Sequence, residues 1–377
     1  MQDKYNKTLI IFAFIVIVLF SFTTDLISFK NIGTHSVYKL MSEKPFKMDA
    51  SPYCYRVGVP LLAYAMPLDS GTAFQIILYL SAGLLILLSH LFLSSFKLDK
   101  KAVLVTLLVF ISTFWTIRYF IFNPFEINNV AFVLLIACLF FMINKNNVLF
   151  SITLLLALFI KENALVLLPV YLTYKYQIYK RKSFLMMLKY ALPPVLVYVL
   201  FRFISFKAYF GSDIIAHFNY FSGRLGFAGY FKLIVNNTVL IWGMLLPVIL
   251  IDMKTLFSTI KKHLWTLVLF ILSLLWPLLT PGSDLNFYYA YPAVLIWFAY
   301  SIQSIFQKHT NFSKLFVPIV IVFQIMVNYL IFPKSIIFSL PEYTGLAIYY
   351  VLIGFNIAAL LIGFILLVKN RKTENLN

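Results

Sequence analysis

The sequence has few acidic residues and few cysteines. It holds 13 Asp and Glu against 31 Lys and Arg, which gives a formal net charge of +18 at pH 7. The two cysteines, Cys54 in a loop and Cys138 in an apolar run, exclude a disulfide framework. No Walker loop, dinucleotide-binding glycine pattern, HExxH motif or nucleophile elbow is present. The sequence therefore does not predict that the protein uses ATP directly.

Histidines are also scarce and scattered. The five lie in separate loops or apolar runs and give no metal-ligand spacing: His35, His90, His217, His263 and His309. We therefore predict no metal site and no cofactor, and leave a divalent cation open as an alternative.

Apolar residues are abundant. They make up 62% of the chain, only 12% of the residues are charged, and the mean hydropathy is +0.90. A soluble fold of 377 residues could not bury that much apolar surface, so the composition predicts a polytopic membrane protein. Lys and Arg lie in the gaps between apolar runs, which favours contact with membrane lipid over nucleic acid as the reason for the positive charge.

The apolar runs predict an all-α transmembrane bundle of about twelve spans, with eleven to thirteen as the range, since a span needs about 20 residues. The predicted spans lie near residues 8–24, 71–95, 102–122, 128–144, 148–160, 164–175, 187–206, 232–251, 264–280, 286–306, 313–333 and 345–368. The first is interpreted as a retained span, because no small-residue cleavage site follows it.

The charged gaps predict the orientation of this single membrane domain, 1–377. Because Lys and Arg favour the cytoplasmic side, both termini and the basic tail 369–377 are predicted to be cytoplasmic. The lysine-containing gaps at 97–101, 145, 175–189, 254–262 and 308–314 are predicted to share that side. Outer loops are expected at 25–58 and 207–231. The run 57–66 is too short to span and is expected to form an interfacial helix.

A charged tripeptide, Lys161-Glu162-Asn163, separates the short runs 148–160 and 164–175. If the two runs formed one helix, the basic cluster between Tyr174 and Lys189 would fall outside, against the positive-inside bias. The sequence therefore predicts a break at the tripeptide, on the outer side. Charge at membrane depth is costly, which points to a functional or structural task for these side chains.

The first candidate site is the outer loop that follows the first span. Asp49 could act as a general base on an acceptor hydroxyl, and Arg56 could donate a fork of hydrogen bonds to a phosphate. The alternatives are that Asp49 is a solvated loop acid and that Arg56 is an interfacial anchor.

Two further candidate groups lie on the same predicted side. Arg118, Glu126 and Asn128 form one group around a short loop, in which Arg118 and Glu126 are candidates for substrate binding. Glu126 could instead cap the helix that follows. Lys161 is predicted to contact a phosphate or pyrophosphate, with Glu162 positioning it or binding the sugar; alternatively, the two neutralise each other or nearby charges.

The remaining candidates follow later spans. Asp284 and Tyr288 could recognise a sugar by hydroxyl contact and ring stacking, although Tyr288 also fits the aromatic belt of a membrane protein. Arg224 belongs to the glycine-containing loop 207–231, which is predicted to serve as a lid.

Five segments together resemble bacterial members of the GT-C glycosyltransferase superfamily. They are the acidic loop after the first span, PYCYRVGVPLLA, PFEINN, FIKENALVLLP and SDLNFYYAYP. The resemblance implies a base at Asp49, with Asp25 as the second choice, and phosphate contacts from Arg56 and Lys161. The chain departs from the pattern at Leu285-Asn286, where the superfamily would have an Arg after the acid.

The function expected from the residues and this resemblance is glycosyl transfer at the outer face of a bacterial inner membrane. The donor would be a polyprenyl-phosphate-linked or polyprenyl-diphosphate-linked sugar, and the acceptor a cell-surface glycan or lipid-linked acceptor. An O-antigen or capsule repeat-unit polymerase and a lipid-linked sugar flippase are the alternatives. A flippase would need charges along a path to both sides, whereas the predicted acids cluster outside.

Overall fold

A computed structural model describes most of the chain. The described residues are 2–23, 33–46, 55–122, 127–206, 229, 234, 241–275, 289–308, 317–326 and 342–374. Within these ranges every regular element is helical and no strand occurs.

The first half of the chain contains eleven α-helices in the described ranges. They are α1 (Gln2–Thr23), α2 (Gly33–Glu43), α3 (Gly58–Ala65), α4 (Ser70–Ser94), α5 (Lys100–Ile111), α6 (Tyr119–Phe122), α7 (Asn128–Ile143), α8 (Asn147–Ile160), α9 (Leu167–Tyr179), α10 (Ser183–Tyr190) and α11 (Leu192–Phe206). A kinked segment, Phe114–Arg118, precedes α6, and a 3₁₀ turn, Glu162–Val166, precedes α9.

The second half contains six helices in the described ranges. They are α12 (Leu245–Ile251), α13 (Met253–Lys262), α14 (Leu264–Leu275), α15 (Tyr291–Lys308), α16 (Val317–Met326) and α17 (Glu342–Glu374).

Polar side chains fix where several of these helices begin. The Asp69 carboxylate accepts a hydrogen bond from the Thr72 amide at 3.0 Å and caps α4. Asn146 caps α8 in the same way through the Leu149 amide at 3.1 Å. Each bond satisfies one of the amides that the first turn of a helix leaves without a partner.

Three helical stretches of the described chain are long and apolar enough to cross a membrane: Ser70–Ser94, Lys100–Arg118 and Glu162–Ile204. The number of such stretches rises to four if α13 and α14, which are bent by 100° at their junction, are counted as one span. Several other apolar helices are shorter. α8, for example, has 14 residues, and at 1.5 Å per residue it reaches about 21 Å of the ~30 Å hydrocarbon core. The count of twelve spans stays a prediction.

α2 lies within the predicted outer loop 25–58. Tyr38 and Met41, three residues apart on this helix, are both buried. α2 packs on α3 and α4. A short amphipathic helix is too weakly apolar to stand out from a loop in a hydropathy scan, which is why α2 was not expected.

The loops that were predicted to share the cytoplasmic side lie together at one end of the helices. Four hydrogen bonds join them: the Asp99 amide to Gln303 at 3.0 Å, Asn144 to Ser95 at 3.2 Å, Tyr174 to the Ile143 carbonyl at 3.0 Å and Gln177 to the Lys262 carbonyl at 3.4 Å. We call this the basic end, because Lys97, Lys145 and the run Lys180–Lys182 are located there. Apolar packing of α7 against α4 and α8 separates the basic end from the opposite end of the helices.

Candidate functional site

The backbone changes direction at the tripeptide that follows α8. α8 ends at Ile160, and Lys161 has extended backbone angles of φ −157° and ψ 134° before the 3₁₀ turn begins at Glu162. In an extended backbone, consecutive side chains point to opposite sides. Lys161 and Glu162 therefore reach different partners, although they are neighbours in sequence.

Glu162 pairs with Arg56. The Arg56 guanidinium donates two hydrogen bonds to the Glu162 carboxylate, from Nε to Oε2 at 3.1 Å and from Nη2 to Oε1. Its Nη1 donates to the Tyr38 hydroxyl at 3.4 Å. Arg56 is only 6% exposed, and the Glu162 side chain 14%. A fork of two parallel bonds fixes the guanidinium in orientation as well as in position.

Lys161 turns towards α7 and the start of α15. Its ammonium donates to Oδ1 of Asn128, the first residue of α7, and the Tyr289 hydroxyl donates to the same oxygen at 3.3 Å. The ammonium also lies 6.0 Å from the centre of the Tyr289 ring. Lys161 is 3% exposed and Asn128 2%. A buried ammonium is thus held by a neutral amide oxygen and lies near an aromatic ring.

A third set of contacts brings α11 to the same end. The Arg202 guanidinium stacks 3.8 Å from the ring centre of Tyr55, the residue before Arg56. Arg202 also lies 5.8 Å from the ring of Tyr198, which packs edge-on against Phe159 of α8 at 6.0 Å. A cation over an aromatic face contributes about 0.5–2 kcal/mol, depending on its exposure. These contacts hold the segment before α3 against α8 and α11.

Four segments that are far apart in sequence meet here. We call Arg56, Asn128, Lys161, Glu162 and Tyr289 the polar cluster. Its members come from the segment before α3, from α7, from the break after α8 and from the start of α15. The hydrogen-bonded pairs Arg56–Glu162, Asn128–Lys161 and Asn128–Tyr289 are 106, 33 and 161 positions apart in sequence. All five residues lie in segments that carry the family resemblance. Arg56 lies in PYCYRVGVPLLA, Asn128 in PFEINN, Lys161 and Glu162 in FIKENALVLLP, and Tyr289 in SDLNFYYAYP.

The polar cluster has the chemistry of an anion-binding site. Arg56 and Lys161 present donors only, and guanidinium and ammonium groups are the side chains that bind the oxygens of a phosphate. Charged groups at membrane depth persist where they line a protein or aqueous cavity. Glu162 provides the negative charge that makes burial of Arg56 tolerable.

The structure thus brings together Arg56, Lys161 and Glu162 among the predicted site residues. Glu162 pairs with Arg56, in line with the alternative that it neutralises a nearby charge, and the substrate-binding roles of these residues stay predictions. Arg118 is completely buried at the end of the kinked segment, which packs on α1 and α5. The other predicted site residues lie outside the described residues and stay predictions: Asp25, Asp49, Glu126, Arg224, Asp284 and Tyr288.

The sequence had pointed to Asn128 together with Arg118 and Glu126, whereas Tyr289 and Arg202 were not selected from the sequence. Tyr289 is an uncharged residue in an aromatic stretch, where no spacing distinguishes one residue from its neighbours. Arg202 had a usable signal, since it is a charged residue within an apolar run, where a charge is costly. Among the described residues, no group of three or more His, Cys, Asp or Glu could hold a metal ion.

Comparison with known proteins gives one structural likeness to report. No protein-family model and no curated protein matches the sequence. The chain is similar to the crystal structure of the Archaeoglobus fulgidus oligosaccharyltransferase tethered with an acceptor peptide containing the NVT sequon, with 11% identity and a TM-score of 0.49. The match covers 94% of this chain and 55% of that chain, so this chain spans about half of that structure. A likeness at this level carries no conclusion about fold or activity.

Proposed function

We propose that the protein is an integral membrane glycosyltransferase that acts at the outer face of a bacterial inner membrane. It moves a sugar from a polyprenyl-phosphate-linked or polyprenyl-diphosphate-linked donor to a cell-surface glycan or a lipid-linked acceptor. The observation that carries the proposal is the convergence of four distant segments on the buried Arg56, Lys161 and Glu162.

The location of the polar cluster suits a lipid-linked donor. The phosphate of such a donor stays at the headgroup level while its polyprenyl chain stays in the bilayer, so the groups that bind the phosphate must lie beside apolar surface. Arg56 and Lys161 lie at the ends of apolar helices opposite the basic end. Charge-assisted bonds to phosphate in such a site are stronger than in water.

The chemistry that follows is a displacement at the anomeric carbon. The acceptor oxygen forms a bond to that carbon, the bond from carbon to the phosphate oxygen breaks, and its electron pair leaves with the phosphate. Arg56 and Lys161 stabilise the charge that develops on this leaving group. Asp49 is the proposed base that takes the acceptor proton. Glu162 holds the Arg56 guanidinium in place through two hydrogen bonds.

A transporter is less well supported than an enzyme. A through-path for a charged headgroup would need polar side chains along the length of the bundle. Among the described residues, the fully or nearly buried cations lie towards the ends of helical segments, and packed apolar side chains fill the middle of α7 and α8. These cations are Arg56, Arg118, Lys161 and Lys175. This distribution favours a site that opens to one side.

The experiment compares Lys161→Gln with Lys261→Gln, a control at the basic end. The glutamine amide at position 161 can still donate to Asn128, so the local fold is retained while the charge is lost. In nanodiscs, we expect Lys161→Gln to bind a polyprenyl phosphate about tenfold or more weakly than the wild type. Binding of the matching polyprenol, which has no phosphate, should not change.

The same variants and Asp49→Ala are then expressed in the native cell at matched protein levels, and the glycans are profiled. Loss of one transferred sugar in Lys161→Gln and Asp49→Ala is the expected result. Accumulated single repeat units would assign a polymerase, and donor trapped on the inner leaflet would assign a flippase. An unchanged glycan together with unchanged phosphate binding would refute the proposal.

A further inference from the structure

A second polar site lies beside the polar cluster. A cavity of about 500 Å³ opens between α2, α3 and the start of α4. Its lining residues include two acids, Glu43 and Asp69, together with Lys39 and Tyr64. The volume falls within the range of about 300–1,000 Å³ that is typical of small-molecule sites.

The cavity and the polar cluster are built on the same two helices. On α2, Tyr38 accepts a hydrogen bond from Arg56 at 3.4 Å, whereas the next residue, Lys39, lines the cavity. α3 begins two residues after Arg56, and its Tyr64 lines the cavity. A ligand in the cavity would therefore lie next to the elements that carry the proposed phosphate contacts.

Both carboxylates can accept further hydrogen bonds. Asp69 uses Oδ1 to accept from the Thr72 amide at 3.0 Å. Hydrogen bonds from the side chain and the backbone of Thr72 hold the pKa of Asp69 below its usual value, so that it is charged at neutral pH. Within the described part of the chain, Glu43 has no hydrogen-bonded or ionic partner. An ionised carboxylate accepts hydrogen bonds and donates none.

The lining selects among ligand classes. Two carboxylates disfavour an anion, and Lys39 disfavours a small cation at the same place. A neutral ligand with many hydroxyl groups can donate to the carboxylates and accept from Lys39. The Tyr64 side chain is 58% exposed and offers a ring face on which a sugar can stack. This combination of acceptors, one donor and an aromatic face is what a neutral sugar requires.

We infer that this cavity is a carbohydrate-binding site that takes a neutral sugar, with Glu43 and Asp69 accepting hydrogen bonds from its hydroxyl groups. The identification of this sugar as the acceptor rests on the proposed function. Its binding in the cavity does not, because the two sites use different side chains.

The test measures sugar binding without turnover. Full-length protein in nanodiscs is probed by saturation-transfer difference NMR with methyl glycosides of neutral hexoses, N-acetylhexosamines and 6-deoxyhexoses. The variants are Glu43→Gln, Asp69→Asn and the double substitution. Both side chains are exposed, and Asn caps a helix as well as Asp does, so α4 keeps its first turn.

The matched control is Asp252→Asn. Asp252 caps α13 near the basic end, where it accepts from the Thr255 hydroxyl at 2.9 Å. This control makes the same chemical change at another N-cap and leaves the cavity intact. We expect at least one glycoside to bind the wild type and Asp252→Asn equally, and each cavity substitution to weaken that binding about tenfold.

Three outcomes would overturn the inference. They are no binding by any glycoside of the panel, binding that survives the double substitution, and binding that requires a divalent cation and disappears with a chelator. Any of these outcomes, together with weakened polyprenyl phosphate binding in Lys161→Gln, would leave the proposed function standing. Sugar binding that depends on Glu43 and Asp69, together with unchanged polyprenyl phosphate binding in Lys161→Gln, would support this inference and contradict the proposed function.

Discussion

Arg56 and Glu162 show at the scale of single residues why removal of one buried charge should cost more than removal of both. Each is costly to bury alone, and their two hydrogen bonds offset that cost. We predict that Arg56→Gln and Glu162→Gln each lower the free energy of unfolding by about 3–5 kcal/mol, because each leaves its partner uncompensated. The loss of unfolding free energy in the double variant should be much smaller than the sum of the losses in the two single variants.

The measurement is a double-mutant cycle by reversible unfolding in detergent micelles. Arg56→Lys is the useful companion variant, because an ammonium keeps the charge but cannot form the two-bond fork. The free energy of unfolding of Arg56→Lys should lie between those of the wild type and Arg56→Gln. Strictly additive losses in the cycle would mean that the pair is not coupled, and that Glu162 does not position Arg56.

The residue scale also marks where prediction from sequence stops. The tripeptide at 161–163 could be identified as costly charge between two short apolar runs, because hydropathy and charge are properties of the sequence alone. The partners of Lys161 and Glu162 could not be identified, since they depend on the extended backbone at Lys161 and on residues 33 and 106 positions away. Asn128 could be placed in a candidate group beside Glu126, but its contact with Lys161 could not be predicted, and Tyr289 carries no charge that would distinguish it from the neighbouring tyrosines.

At the scale of elements, the approach of α3 to α8 depends on Gly58. A Cβ at this position would lie 2.7 Å from Cγ1 of Ile160 and 3.2 Å from the carbonyl oxygen of Phe159. Because the second neighbour is backbone, α3 and α8 would have to move apart. That movement would pull Arg56, two residues earlier, away from Glu162, two residues after Ile160.

We therefore predict that Gly58→Ala destabilises the protein and weakens polyprenyl phosphate binding, although residue 58 contacts no ligand. The overpacking should cost about 1–3 kcal/mol in unfolding free energy. Gly83→Ala is the matched control, because a Cβ there has nothing within 4 Å and residue 83 lies within α4. If Gly58→Ala behaves like Gly83→Ala in both assays, the close approach is not needed to position Arg56.

At the scale of the whole molecule, charge was a better guide than span length. The lysine-containing loops were predicted to share one side, and hydrogen bonds between α4–α5, α7–α8, α9, α13 and α15 join them at the basic end. Span length was less informative, because α8 is short and the charged break follows it directly. The separation of Lys and Arg depends on composition along the chain, whereas bends such as the one of 100° between α13 and α14 depend on tertiary packing.

The orientation of these two ends relative to the cell can be tested by cysteine labelling. In a Cys54→Ser background, Lys182→Cys places a thiol at the basic end and Leu68→Cys places one beside the start of α4, and both positions are exposed. Cys138 can stay, because it is completely buried. Since Lys and Arg favour the cytoplasmic side, a membrane-impermeant maleimide should label Leu68→Cys in intact spheroplasts and Lys182→Cys only after permeabilisation.

Labelling of Lys182→Cys in intact spheroplasts would place the polar cluster and the cavity on the cytoplasmic face. A donor presented at the outer leaflet could not then reach Arg56 and Lys161, and the proposed reaction would have to use a donor on the inner leaflet.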